Sequence, residues 1–242
     1  MKSAILSLLR ALGLNRIAGK IYYRTVHGFA PAGSDLPNAV ERSFETAKAN
    51  GVLGQNDYCE FGVYKGYTFL HAQKVADKLG VSDMRFIGFD SFEGLPEPEG
   101  QDIVTDSHQP FYKGQYAASL EYVRSQLDRR GVDWSRSFLI PGYFDQSFAS
   151  ETVKELNIER IAIALVDCDL YSSTVDVLEF LESRLMDGAI VIMDDWKSYG
   201  ESAERGQPLA LKEFLAKSTK WRCEHLFDYG DYGRIFSFHQ NV

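Results

Sequence analysis

Acidic side chains stand at the ends of apolar runs in this sequence, a placement that can support chemistry. Ile161 to Val166 is a short apolar run that stops at Asp167-Cys168-Asp169, and Ala189 to Met193 is a second that delivers Asp194-Asp195. Uninterrupted runs of this length are what strands buried on both faces look like. Between them lies a helical pattern with Val175, Leu178, Leu181 and Leu185 on one face. Ser173 followed three residues later by Asp176 resembles a capping box at its start, and Gly188 suits its end. The stretch therefore reads as strand–helix–strand. In an open parallel α/β sheet the carboxyl ends of strands line the ligand crevice. Up to four acids then share one rim, where their repulsion is costly unless a cation sits among them. The simpler reading of Asp169 is a cap on the helix that begins near Ser172.

Two further acids precede these. Asp57 to Phe61 reads as the first strand of the main domain and runs into Glu60-Phe61-Gly62-Val63-Tyr64-Lys65-Gly66. An acid and two glycines in ExGxxxG spacing at a strand-to-helix turn let a ligand approach the backbone closely. This is not the GxGxxG of dinucleotide enzymes. Met84 to Phe89 reads as the second strand, ending at Asp90-Ser91. An acid some 20–30 residues after such a turn commonly grips a ribose diol through both oxygens. Ser137 to Ile140 is a third strand, and the following Pro141-Gly142-Tyr143-Phe144-Asp145 would flank the adenine side of a nucleoside.

The remaining elements position these groups. Helices are expected over residues 37–50, 67–79, 116–129 and 209–216, with an antiparallel pair over 221–227 and 232–239 closing the chain. Residues 97–114 are polar, contain His108, Phe111 and Tyr112, and are long for a connection, as a substrate loop would be. The 242 residues suit one α/β domain over 37–242 preceded by an extension over 1–36. A net charge of −8 argues against nucleic acid as the main partner. Cys59, Cys168 and Cys223 lack CxxC spacing and read as free thiols in a reducing, cytoplasmic compartment. His71, His225 and His239 lie in or near apolar elements and read as structural. Tyr64, Tyr67 and Tyr171 can either shape a pocket or pack.

The first 34 residues contain Lys2, Arg10, Arg16, Lys20 and Arg24 and no acid. Residues 3–14 and 17–23 can form basic amphipathic helices. Arg10 interrupts the apolar stretch and no small-residue cleavage site follows, which disfavours a signal peptide. Two readings stay open for this segment: packing over the active site or a homo-oligomer partner, or peripheral contact with an anionic membrane.

The segments EFGVYKG, GFDSFEGLP, VDCDLYSST and IMDDW occur in an order and spacing that resembles the macrocin O-methyltransferase family, over roughly residues 38–240. The resemblance implies a Rossmann-like class I methyltransferase fold, a mostly parallel seven-stranded sheet flanked by helices. It implies S-adenosylmethionine as cofactor, Mg²⁺ or Mn²⁺ as a helper ion, and as acceptor a hydroxyl on a small, sugar-bearing natural product. Carried over by position, Glu60, Gly62, Tyr64 and Gly66 line the methionine side of the cofactor. Asp90 and Ser91 meet its ribose and adenosine, with Gly142 and Phe144 beyond. Asp167, Asp194 and Asp195 hold the metal, and Asp167 doubles as general base, with Lys197 and His108 as weaker candidates. Position 168 is Cys where the family often has Gly.

Two rival readings compete. Asp167-Cys168-Asp169 is literally a DxD, which in metal-dependent glycosyltransferases binds a nucleotide-sugar diphosphate; that reading leaves ExGxxxG and Asp194-Asp195 unexplained. The other is a non-catalytic module recruited to a membrane by its basic first residues.

Overall fold

Phe29 and residues 35–103, 111–200 and 202–241 are described by the computed structural model. Apart from Phe29, the basic first 34 residues lie outside the described residues, and so does His108.

The apolar runs become strands. Asp57–Phe61 (β1), Arg85–Asp90 (β2), Ser137–Pro141 (β3), Ile161–Val166 (β4) and Leu185–Met193 (β5) are parallel neighbours, and the hairpin of Trp221–Tyr229 (β6) and Gly233–Gln240 (β7) adds to β5 through antiparallel β7. The seven-stranded order is β3-β2-β1-β4-β5-β7-β6. It reverses direction between β1 and β4, so the crevice of an open α/β sheet opens at their carboxyl ends. All five residues of β1 and all six of β4 are buried, as strands covered on both faces must be.

Side-chain alternation sorts the core into two layers. Tyr58 meets Phe44 of the helix Leu36–Ala49 (α1) at 5.9 Å and Phe86 at 5.6 Å, and Phe86 meets Phe69 of Tyr67–Lys78 (α2). On the opposite face, Phe61 stacks on Phe89 at 5.2 Å and meets Phe148 and Phe180 edge-on. The described chain also contains helices Leu120–Asp128 (α3), Phe144–Ser147 (α4), Glu151–Leu156 (α5), Tyr171–Glu182 (α6) and Gly206–Lys217 (α7). Among the described residues no helix is long and apolar enough to cross a membrane.

Several local expectations give way. The helix expected from residue 116 begins at Leu120, because Ser119 is its cap and accepts from the Tyr122 amide. Ser173 and Asp176 lie inside α6, whose N-cap is Leu170 without any side-chain cap of its own. The missing cap comes from across the chain: Asp102 accepts from the Tyr171 amide at 2.6 Å and the Ser172 amide at 3.3 Å. Asp169 therefore does not cap α6 either. Gly188 lies within β5 instead of ending a helix, and Leu185 is the first residue of that strand. Its φ of +83° falls where β5 gains residues against β4, between the pairs Ile161–Leu185 and Ile163–Ile190.

Backbone bonds continue one rung past the strand ends, from Gly62 N to Phe89 O, Asp167 N to Phe61 O, and Asp194 N to Val166 O. Gly62 makes this possible. At φ +100°, a Cβ on it would lie 1.7 Å from the Asp167 carbonyl oxygen. Gly62→Ala must therefore push β1 from β4 at the crevice. It is expected to cost at least about 3 kcal/mol, roughly 6–12 °C in Tm. Gly51→Ala is the control: φ is +71° with open space around it, and only the backbone penalty of about 1 kcal/mol applies there. Equal melting losses in the two variants would sink the close-approach argument.

Candidate active site

The rim at the carboxyl ends of β1, β2, β4 and β5 collects Glu60, Asp90, Asp167, Asp169, Asp194 and Asp195. Oxygens of Asp167, Asp194 and Asp195 all lie within 4.8 Å of one another. These are the three acids expected to act together. Asp169 is not among them: its backbone is left-handed (φ +62°), and its amide donates to Asp195 Oδ2 at 2.8 Å.

Of these six, Glu60, Asp90, Asp194 and Asp195 are held by donors, and the Asp169 carboxyl shares a hydrogen bond with that of Asp195. Asp195 also accepts from the Ser198 hydroxyl, and Asp194 accepts from the Tyr229 hydroxyl at 2.6 Å. Glu60 accepts from the Tyr58 hydroxyl at 2.6 Å and from the Phe69 amide in the first turn of α2. Asp167 is the exception. Among the described residues its carboxylate has no hydrogen-bond donor, although its backbone is fixed by the bond to Phe61.

The crowding shows in proton affinity. Burial pushes Asp167 well above the usual carboxylate range, and Asp194, Asp195, Asp169 and Glu60 add repulsion. Burial likewise raises Asp194 against the Tyr229 bond. Burial and then Asp194 push Asp195 up to about 7. Three hard oxygen donors with surplus negative charge are a fitting chelate for a small divalent cation, whose charge would reverse those shifts.

The glycine turn is built by Asp90. Its Oδ2 accepts from the Val63 and Tyr64 amides, both at 2.8 Å, and its Oδ1 from the Phe92 amide at 2.6 Å. Oδ2 thereby accepts two amides and Oδ1 one, which leaves one lone pair of Oδ1 open. Ser91 Oγ is similarly occupied, donating to Gly94 O and accepting from the Glu93 amide. Tyr64 sits at φ +49° with its ring against Tyr116. Gly66 is the left-handed N-cap of α2. Gly142 bonds to Asp90 O, while the Phe144 ring stacks on Phe148 and meets Phe61.

Lys197 lies 3.5 Å from Asp228. The three histidines find partners outside the rim: His71 with Pro37 O, His225 with Asp228, and His239 with Ser237. Cys59, Cys168 and Cys223 are free, and burial raises each thiol. Sequence reasoning missed Asp102, Tyr58 and Tyr229. Each acts on a partner through folding, and for Asp102 and Tyr229 that partner is 35 or more residues away, so no local pattern marks them.

With this geometry in hand, a family model described as macrocin-O-methyltransferase (TylF) matches residues 23–214. The chain belongs to the macrocin O-methyltransferase family. Among similar proteins, an 8-demethyl-8-(2,3-dimethoxy-alpha-L-rhamnosyl)-tetracenomycin-C 4'-O-methyltransferase of Streptomyces olivaceus is 34% identical over 154 residues, 63% of this chain and 56% of that protein. A mycinamicin III 3''-O-methyltransferase of Micromonospora griseorubida is 28% identical, over 75% of this chain and 69% of its own length. The chain thus spans little more than half of the first of these relatives. Among solved structures, the O-methyltransferase NovP superposes with a TM-score of 0.65 at 22% identity, over 84% of this chain and 79% of that one. CalS11, a calicheamicin methyltransferase, gives 0.62 at 23%, over 83% and 77%. The fold is that of class I methyltransferases, as the family resemblance implied. The DxD reading is not favoured, since Asp167 converges with Asp194 and Asp195, a pair that reading leaves without a role.

Glu60 offers a test of the rim's electrostatics. Burial, with added repulsion from Asp90 and Asp194, pushes it up to about 8 from 4.5, against the bonds from Tyr58 and Phe69. The folded state then holds a proton that the unfolded chain releases, so stability falls as pH rises between those values. One linked proton is worth up to about 1.4 kcal/mol per pH unit. In EDTA, Tm is expected to fall from pH 6 to pH 8, and Glu60→Gln should make that slope shallower. Parallel slopes would mean Glu60 is already ionised.

Proposed function

We propose that this protein is an S-adenosylmethionine-dependent O-methyltransferase acting, with a divalent cation, on a sugar hydroxyl of a small glycosylated natural product. The observation that carries the proposal is the convergence of Asp167, Asp194 and Asp195 at the switch point, beside the Glu60–Gly66 turn. The names of the similar proteins support the acceptor class: one is a 4'-O-methyltransferase of a rhamnosyl-bearing tetracenomycin and another a 3''-O-methyltransferase of mycinamicin III.

Methyl transfer is an in-line displacement. The acceptor oxygen forms a bond to the methyl carbon as the carbon–sulfur bond breaks, and the bonding pair leaves with sulfur, which becomes neutral. Proper alignment alone can supply much of the rate. The turn from Glu60 to Gly66, with Tyr64 and the open lone pair of Asp90 Oδ1, is where the cofactor's methionine and ribose would lie. Ser91, Gly142 and Phe144 stand on its adenosine side. The hydroxyl proton must also leave. Asp167 is the acid suited to take it, because its carboxylate has no donor among the described residues while its backbone is fixed by Phe61. Asp167, Asp194 and Asp195 suit Mg²⁺ or Mn²⁺. A cation bound by them supplies Lewis-acid polarisation, lowering the pKa of the hydroxyl and fixing its approach.

The test measures labelled methyl transfer from S-adenosylmethionine to a panel of rhamnose-bearing glycosides, with Mg²⁺, Mn²⁺ or EDTA. Asp167→Asn is expected to lower turnover by about 10²–10⁴-fold, the usual contribution of a positioned base. Its affinity for S-adenosylhomocysteine should be retained. A fully active Asp167→Asn enzyme would refute the assignment, and a wild-type protein that binds neither S-adenosylmethionine nor its product would refute the activity.

A further inference from the structure

Beyond the last rung of the β4–β5 ladder, one side chain continues the pattern. Gln207, fully buried in the first turn of α7, accepts from the Asp195 amide through Oε1 at 3.1 Å and donates through Nε2 to Val166 O at 3.0 Å. Val166 is the residue before Asp167, and its carbonyl also receives the Asp194 amide at 3.1 Å. A carboxamide has the same donor and acceptor as a peptide group. Gln207 therefore stands in for one more strand residue, bridging the two segments that carry all three clustered acids. Such a group, buried and satisfied at both ends, has few alternatives to this one geometry.

The approach of Gln207 depends on its neighbour. Gly206 has φ +57°, and a Cβ there would lie 2.5 Å from Tyr199 Cδ2. The bare glycine lets the start of α7 come in under the residues that follow Asp194-Asp195. The bridge opposes a specific force. Asp167, Asp194 and Asp195 repel one another, and separating the ends of β4 and β5 would relieve that repulsion.

We infer that Gln207 is a positioning residue that sets the separation of the Asp167 and Asp194–Asp195 segments, and with it the size of cation the three acids hold. The inference rests on the divalent-cation reading above. A clamped chelate favours small ions that demand near-ideal octahedral geometry, such as Mg²⁺ and Mn²⁺. A loosened one favours Ca²⁺, which has longer bonds and flexible coordination.

The experiment is calorimetric titration of the full chain with Mn²⁺, Ca²⁺ and, separately without metal, S-adenosylhomocysteine. Gln207→Met keeps the side-chain length and removes both hydrogen bonds. Its Kd for Mn²⁺ is expected to rise about 10–100-fold, the usual effect of removing a group that orients metal ligands. Its Kd for Ca²⁺ should change much less, and S-adenosylhomocysteine should bind as before. A merely structural role would not shift the preference between two cations. Should Gln207→Met not fold, Gln207→Asn, one methylene short of reaching both partners, is judged by the same titrations. Unchanged Mn²⁺ affinity, a parallel loss of both cations, or loss of S-adenosylhomocysteine binding overturns the inference. A wild-type protein that binds no Mn²⁺ overturns the cation reading beneath it.

Discussion

Like-charge repulsion at one edge of a sheet is the constraint on which the rest of this structure depends. Parallel strands that end in acids bring Glu60, Asp90, Asp167, Asp194 and Asp195 to a common rim, and burial raises the free energy of every ionised carboxylate there. The chain offsets this with donors taken from the starts of helices and turns. The Phe69 amide of α2 serves Glu60, and the amides of Val63, Tyr64 and Phe92 serve Asp90. The Tyr171 and Ser172 amides of α6 serve Asp102 beside them. Helix N-termini are natural partners for anions because their first amides lack intrahelical acceptors. The same bonds that hold the acids also cap α2 and α6, neither of which has a capping side chain at its own N-cap.

Much of this could be read from residue order because it follows from periodicity. Residues 57–61 and 161–166 are strands to the residue: Ile161 to Val166 holds no polar side chain, and in Asp57 to Phe61 the buried Asp57 and Glu60 are held by Arg85 and Tyr58. Once the strands are parallel, the acids at their ends must share a rim, and the convergence of Asp167 with Asp194 and Asp195 follows. Local signals failed where a distant partner competed. Ser173 and Asp176 have the spacing of a capping box, yet Asp102, 69 residues upstream of Tyr171, supplies the cap, so the helix begins two residues before Ser173. Gly188 looks like a helix terminator because a left-handed glycine suits that role. A bulge in a strand asks for the same conformation, and only the pairing with β4 distinguishes the two.

Backbone strain concentrates at the same edge. Of the five non-glycine residues with positive φ among those described, Tyr64, Phe92 and Asp169 lie two or three residues past the ends of β1, β2 and β4. Such conformations persist only where surrounding bonds over-determine them. Here the bonds are identifiable: the Tyr64 and Phe92 amides are held by Asp90, and the Asp169 amide by Asp195. The acids therefore do structural work that glycine most often does, bending the chain sharply enough to expose backbone at the crevice.

This gives a physical basis for dividing the rim into groups whose oxygens are already taken up by the fold and groups whose oxygens stay open. Asp90 spends three of its four lone-pair positions on amides of its own turn, so its first effect is on the shape of the loop, and little of its charge is left for a ligand. Asp167 is the opposite case: its main chain is tied into the extended ladder, while its carboxylate has no donor among the described residues. Asp194 and Asp195 lie between these limits, each steadied by one or two donors that leave other oxygen lone pairs open. A carboxylate already saturated by amides cannot take up a proton or an ion without breaking those bonds. One fixed by its backbone alone can do so at no such cost, which is why the proposed function assigns the proton transfer to Asp167 at the end of β4.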